Sequence, residues 1–128
     1  MMKDLYILDN PVEQTPLIDF KITGELKIEG KSFPEDPVSF YEPIIKWIKD
    51  LKSECPKTIT LTVKLGYFNT STSKLVLYMF KLLETIHLDG ISEIKIIWLC
   101  NKHDEDMVES GMDYQSIVDV PFELIEYE

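Results

Sequence analysis

The sequence predicts an α/β protein. The expected form is a two-layer sandwich with a mixed, mostly parallel sheet of five or six strands, helices mainly on one face and an N-terminal β-hairpin. Three observations lead there. Strand-like and helix-like apolar periodicities follow one another as β-β-α-β-α-β-α-β, and strands that alternate with helices imply parallel crossovers. Residues 57–68 alternate strictly, with Ile59, Leu61, Val63, Leu65 and Tyr67 set against Thr58, Thr60, Thr62, Lys64 and Gly66. A strand covered on both faces reads instead as a continuous apolar run, so this one predicts a single helix-covered face. Finally, 128 residues with 45% hydrophobic content make one domain, 1–128, large enough to bury a core without staples.

The elements follow in order. Residues 15–23 alternate, with Leu17, Asp19 and Lys21 opposite Ile18, Phe20 and Ile22, and Leu26 and Ile28 continue the pattern beyond Thr23-Gly24. That is a hairpin with a short glycine turn. Leu5 to Leu8 reads as an extension of its first strand. A loop over 31–37 ends in Asp36-Pro37, an N-cap carboxylate followed by proline at the first helical position. Phe40, Ile44, Ile48 and Leu51 then share one helical face, and Pro43 is expected to kink that helix or split off its first turn. After the strand at 57–68, the cluster Asn69-Thr70-Ser71-Thr72-Ser73 opens an apolar helix from Lys74 to Leu88, closed by Asp89-Gly90. Ile94 to Cys100 is a strand with Ile96 and Trp98 opposite Ile97 and Leu99. Asp104 to Val118 is a short helix, expected to be broken or weakened at Gly111. Phe122 to Tyr127 is the last strand.

Composition narrows the function. Thirteen basic residues, all lysine, stand against 23 acidic ones, a net charge of −10. Such a chain has no long-range attraction for nucleic acid or anionic lipid. It also lacks arginine, the usual bidentate reader of phosphate and guanine. No apolar run is long enough to span a bilayer, and 1–10 does not have a signal-peptide layout. Cys55 and Cys100 are isolated and fit reduced thiols, so a cytoplasmic setting is expected.

The segment 69–73 stands where a strand gives way to a helix. One Ser, Thr or Asn there is explained by capping, and capping alone is the commoner reason for such residues. Five small polar residues in a row exceed what one cap requires. A helix N-terminus favours an anion through its free amides and dipole, which makes the cluster a candidate phosphorylation site. A bound phosphate ligand is the alternative, although a P-loop is excluded because its glycine-lysine pattern is missing. On the following helix, Leu75, Met79, Leu82, Leu83 and Ile86 are expected to face the core. Lys74, Leu77, Lys81, Glu84 and Leu88 are expected to face outward on the side of Thr70. Leu77 then becomes a candidate partner anchor beside Asn69, Lys74 and Lys81.

Other constellations carry less. Cys100 and His103 have a C-x-x-H spacing near Asp104 and Asp106 but no second pair to complete a metal site. Carboxylates at 104–106 and 109 suit a helix N-terminus and lack the EF-hand order. No nucleophile elbow is present, and two histidines leave few choices of general base. Neither a catalytic residue, a metal nor a cofactor is expected. An enzyme or small-ligand binder using the mouth near Thr70 is the competing class.

Several short motifs occur in order: Pro34-Glu35-Asp36, Tyr67-Phe68-Asn69-Thr70-Ser71 with Ser73-Lys74, Trp98, Glu105-Asp106-Met107 and Pro121-Phe122-Glu123-Leu124. As an ordered set they resemble the SiaC-like biofilm-regulation phosphoproteins of bacteria, over nearly the whole chain from Thr15-Pro16 onward. The resemblance implies a fold like the STAS domains of anti-sigma-factor antagonists. It implies a non-enzymatic switch, modified by a dedicated serine/threonine protein kinase and reset by a phosphatase, whose unmodified form binds and activates a diguanylate cyclase. The modified residue of the Asn-Thr-Ser motif falls on Thr70, with Ser71, Thr72 and Ser73 as neighbouring possibilities. An anti-sigma-factor-antagonist-like partner switch is the related alternative.

Overall fold

The structure, a computed structural model, describes residues 2–128. Its elements are β1 (Leu5–Ile7), β2 (Leu17–Phe20), β3 (Glu25–Ser32), α1 (Pro37–Leu51), a 3-10 turn (Lys52–Glu54), β4 (Thr58–Phe68), α2 (Thr70–Leu88), β5 (Glu93–Asn101), α3 (Glu105–Ile117) and β6 (Phe122–Tyr127).

All six strands form one sheet in the order β1-β2-β3-β4-β5-β6. The first three are antiparallel neighbours, and β3 through β6 are parallel. Each parallel strand lies beside its predecessor, so the three helical crossovers all step the same way. Right-handed crossovers stepping in one direction put every helix on one face. That is why the sandwich has two layers, and why β4 buries Ile59, Leu61, Val63 and Leu65 on one face only. Tyr67 leaves this pattern and is 51% exposed at the end of the strand.

The core lies between sheet and helices. Ile18, Phe20, Leu26, Ile28, Ile96 and Trp98 rise from the sheet to meet Tyr41, Ile44, Ile48, Leu51, Met79, Phe80 and Leu83. Trp98 is almost fully buried and packs against Phe68, Phe80 and Tyr114.

Five expectations change. Leu5–Ile7 is not an extension of the hairpin's first strand but a separate edge strand, antiparallel to β2, with Leu5 opposite Phe20. It is held down where the Trp47 indole N–H donates to the Lys3 carbonyl at 2.8 Å. The segment 31–37 is not wholly loop, because β3 runs through Ser32. α1 starts at Pro37, capped by the Asp36 carboxylate, and continues through Pro43 as one helix. Pro43 is exposed, so its missing N–H leaves no buried orphan. Its core residues include Tyr41 and Trp47, while Phe40 is only half-buried.

α3 is likewise unbroken at Gly111. A Cβ at Gly111 would stand 2.4 Å from Leu124 Cδ1 and 2.5 Å from Trp98 Cδ1. The glycine lets α3 lie directly on β5 and β6, and it is there for close approach, not for a break.

Candidate functional site

The junction of β4 and α2 lies at the carboxyl end of the parallel strands, where ligand and partner sites of open α/β sheets gather. Asn69 is the N-cap: its side-chain oxygen accepts from the Thr72 amide at 2.9 Å, and its carbonyl accepts from the Ser73 amide at 2.9 Å. The Asn69 amide itself donates to the Ser32 carbonyl at 3.2 Å, which ties the cap to β3. The helix therefore begins at Thr70, four residues before Lys74. The amides of Thr70 and Ser71 have no protein acceptor among the described residues.

The four hydroxyls of the first turn have different surroundings. Thr70 and Ser71 are exposed. Thr72 is fully buried, 3.2 Å from Ser32 Oγ, which is 2.7 Å from the Tyr41 hydroxyl. This relay of three buried hydroxyls joins β3, α1 and α2 directly beneath the cap. Burial pushes the Tyr41 hydroxyl up to about 12. Ser73 is half-buried, and its carbonyl and hydroxyl both accept from the Tyr114 hydroxyl of α3, at 2.9 and 3.3 Å. Burial raises Tyr114 as well. Both phenols remain protonated donors or acceptors over the ordinary pH range.

Along α2 the helical phase differs from expectation. The buried stripe is Thr72, Val76, Met79, Phe80, Leu83 and Ile86, whereas Leu75 and Leu82 are half-buried at its sides. Leu77 does not stand on the solvent stripe. It is half-buried against the core, on the flank shared with Ser73, Lys81 and Glu84. That flank binds α3 and its exit: Lys81 Nζ donates to the Ile117 carbonyl at 2.7 Å, and the Glu84 carboxylate accepts from the Asp119 amide. The exposed stripe beside Thr70 is Ser71, Lys74, Tyr78, Lys81 and Leu88. Tyr78, 45% exposed with Lys49 Nζ 5.6 Å from its ring centroid, is the aromatic surface residue that periodicity alone missed. A one-residue error of phase conceals it behind Leu77.

At the start of α3 the Asp104 carboxylate accepts from the Met107 amide at 3.2 Å, and Glu105 and Asp106 fill the first turn. The acidic run thus has its place as a helix start. Cys100 is buried and His103 exposed. Among the described residues no group of three His, Cys, Asp or Glu is placed to hold a metal ion. No helix among them is long and apolar enough to cross a membrane.

The SiaC family regulatory phosphoproteins match over residues 10–127. The chain belongs to the SiaC family. Apo-SiaC from Pseudomonas aeruginosa has the same architecture, with a TM-score of 0.86 at 25% identity over 97% of this chain and 99% of that one. SiaC from the same organism, solved in complex with the diguanylate cyclase SiaD of which it is the activator, gives 0.88 at 25% identity over 97% and 100%. An uncharacterized protein of Pseudomonas aeruginosa strain UCBPP-PA14 is 27% identical over 123 residues, 94% of each chain. The six-stranded mixed sheet with three helices is thus the SiaC fold, and the STAS-like expectation is consistent with it.

Proposed function

We propose that this chain is a non-enzymatic adaptor whose unmodified form binds and regulates a diguanylate cyclase, and whose Thr70 is phosphorylated to end that interaction. The partner class is supported by SiaC from Pseudomonas aeruginosa, which is solved with the diguanylate cyclase SiaD as its activator. The site is supported by one observation above the rest: Thr70 is exposed at the first position of α2, next to two amides without an acceptor.

A phosphate on Thr70 adds roughly −1.5 to −2 charges and three acceptor oxygens. The open amides and the helix dipole can accept it, so the fold tolerates the modification. A client seated over the same turn meets a dianion in place of a hydroxyl and must desolvate it. Thr72 is a poor kinase substrate because its hydroxyl is sealed in the relay, and Ser73 is held by Tyr114. Ser71 is the remaining exposed alternative.

The client-binding surface in this reading extends from Asn69 over Lys74 to Tyr78, with Lys81 at its margin. Leu77 supports it from below. A dedicated serine/threonine kinase would add the phosphate and a phosphatase remove it. The test is intact-mass analysis with site mapping after incubation with the cognate kinase and ATP, followed by a cyclase pull-down. One phosphate at Thr70 and loss of cyclase binding is the expected result. A phosphate confined to Ser71, or a phosphorylated protein that binds the cyclase as before, would overturn the assignment.

A further inference from the structure

The net charge of −10 is not spread over the molecule. Residues 1–103 hold all 13 lysines and 14 of the acidic residues, while residues 104–128 hold nine acidic residues and no lysine. That last segment is α3 and β6, which pack together at one margin of the sheet. Little of its charge is neutralised from outside. Lys95 pairs with Glu123 at 2.8 Å and Lys102 with Glu128. Glu105, Asp106, Glu109, Asp113 and Glu126 have no ion-pair partner among the described residues.

β6 is also an edge strand with open main-chain groups. The Ile96 amide donates to the Pro121 carbonyl and the Lys102 amide to the Tyr127 carbonyl. Odd-numbered residues of β6 therefore bond to β5. The amides and carbonyls of Phe122, Leu124 and Glu126 point away from the sheet, since successive residues of a strand direct them to opposite sides. The Gln115 side chain donates to the Phe122 carbonyl at 2.9 Å. Leu124 and Glu126 keep both groups free of protein partners among the described residues. Ile125 and Tyr127, each 37% exposed, flank this edge on the open face of the sheet. The opposite edge, β1, is only three residues long.

We propose that the outer edge of β6 accepts an extended lysine- or arginine-bearing segment of a partner protein as a seventh strand. Edge strands recruit other strands through unpaired main-chain groups, and the surrounding charge decides which. A second copy is disfavoured: pairing β6 with itself would bring its glutamates and those of the acidic α3 against their like. A cationic strand meets the unpaired carboxylates of Glu126 and of α3, with the neighbouring Lys95 and Lys102 already held by Glu123 and Glu128. This surface is separate from Thr70, so its fate does not decide the switch.

The probe is a blocked peptide of four Val-Lys repeats, with a Val-Glu peptide, a tetralysine and a Val-Lys peptide N-methylated at alternate residues as comparisons. The readout is amide hydrogen exchange and chemical shift in the full chain. The Val-Lys peptide is expected to protect the Leu124 and Glu126 amides at least tenfold, and the Val-Glu and N-methylated peptides are not. Glu126→Pro removes an outward amide that β5 does not use, and it is expected to weaken Val-Lys binding tenfold or more. If that variant fails to fold, the N-methylated peptide makes the same test on native protein. Shifts equal for tetralysine and Val-Lys without protection at 124 and 126 would mean a polycation effect and overturn the proposal. So would a dimer of this chain that protects those amides by itself.

Discussion

Replacing Gly111 by alanine is the sharpest test of how α3 is seated. In an exposed helix the change would stabilise by about 1 kcal/mol, since alanine is the better helix former. Here the new methyl would stand 2.4 Å from Leu124 Cδ1, 2.5 Å from Trp98 Cδ1 and 2.8 Å from Trp98 Nε1. Leu124 Cδ1 ends a flexible side chain, but the Trp98 ring has no room to yield, because it is wedged among Phe68, Phe80 and Tyr114. Overpacking of this kind costs about 1–3 kcal/mol. Displacing the indole also stretches its hydrogen bond to the Met107 carbonyl, 3.0 Å in a buried setting, at about 1–3 kcal/mol for a buried donor left unpaired. The net expectation is a loss of about 3 kcal/mol. At about 4 °C per kcal/mol for a chain of this size, the melting temperature should fall by about 12 °C. Urea unfolding followed by tryptophan fluorescence would measure it, with Gly90→Ala as comparison. Gly90 has φ +72° but nothing within 4 Å of its missing Cβ, so only the cost of left-handed backbone applies there, about 1 kcal/mol. A Gly111→Ala protein as stable as the parent would refute the close seating of α3 on Trp98 and Leu124.

Three further outcomes follow from the same geometry. Tyr41 has a folded-state value of about 12 against an ordinary 10, so its contribution to stability is fully present below pH 10 and is lost as pH rises towards 12. The contribution is about 2–3 kcal/mol, and urea midpoints at pH 8 and 11 should show a smaller alkaline loss in Tyr41→Phe than in the parent. Asn69→Ala should cost about 0.5–2 kcal/mol as a lost cap, whereas Thr70→Ala, outside the cap, should shift the melting temperature little while abolishing the phosphate on intact-mass analysis. Tyr78→Ala should weaken cyclase binding in a pull-down without changing the melting temperature, whereas Leu77→Asp should lower that temperature because it inserts a carboxylate into a half-buried flank.

Much of this arrangement was legible in the order of residues. The Thr-faced alternation of β4 foretold the single helical layer, since only an open face tolerates threonine at every second position. Asp36-Pro37 and Asn69 marked their helix starts because capping is chemistry local to four residues. What escaped was set by contacts distant in sequence. Gly111 looks like a weak point until the Trp98 ring and Leu124 are brought against it. Leu5–Ile7 looks like part of a hairpin until β2 offers it an edge. The four hydroxyls of 70–73 are indistinguishable as letters. Ser32, Tyr41 and Tyr114 separate them, and none of those lies within 25 residues of the cluster.

The sequential order of the strands also bears on how the molecule is made. Each strand from β2 onward pairs with the one synthesised just before it, so no late segment has to insert between two earlier ones. On a ribosome the sheet can grow outward from the β2-β3 hairpin, one helix-strand unit at a time, as domains fold during synthesis. Every intermediate on that route presents one temporary growing edge. Until α3 and β6 arrive, that edge is β5, which carries Ile94, Ile96, Ile97, Trp98 and Leu99 within six consecutive residues. The stage between completion of β5 and docking of β6 is therefore the point of greatest exposure to aggregation, and a chain stalled there is the form a chaperone would be expected to hold.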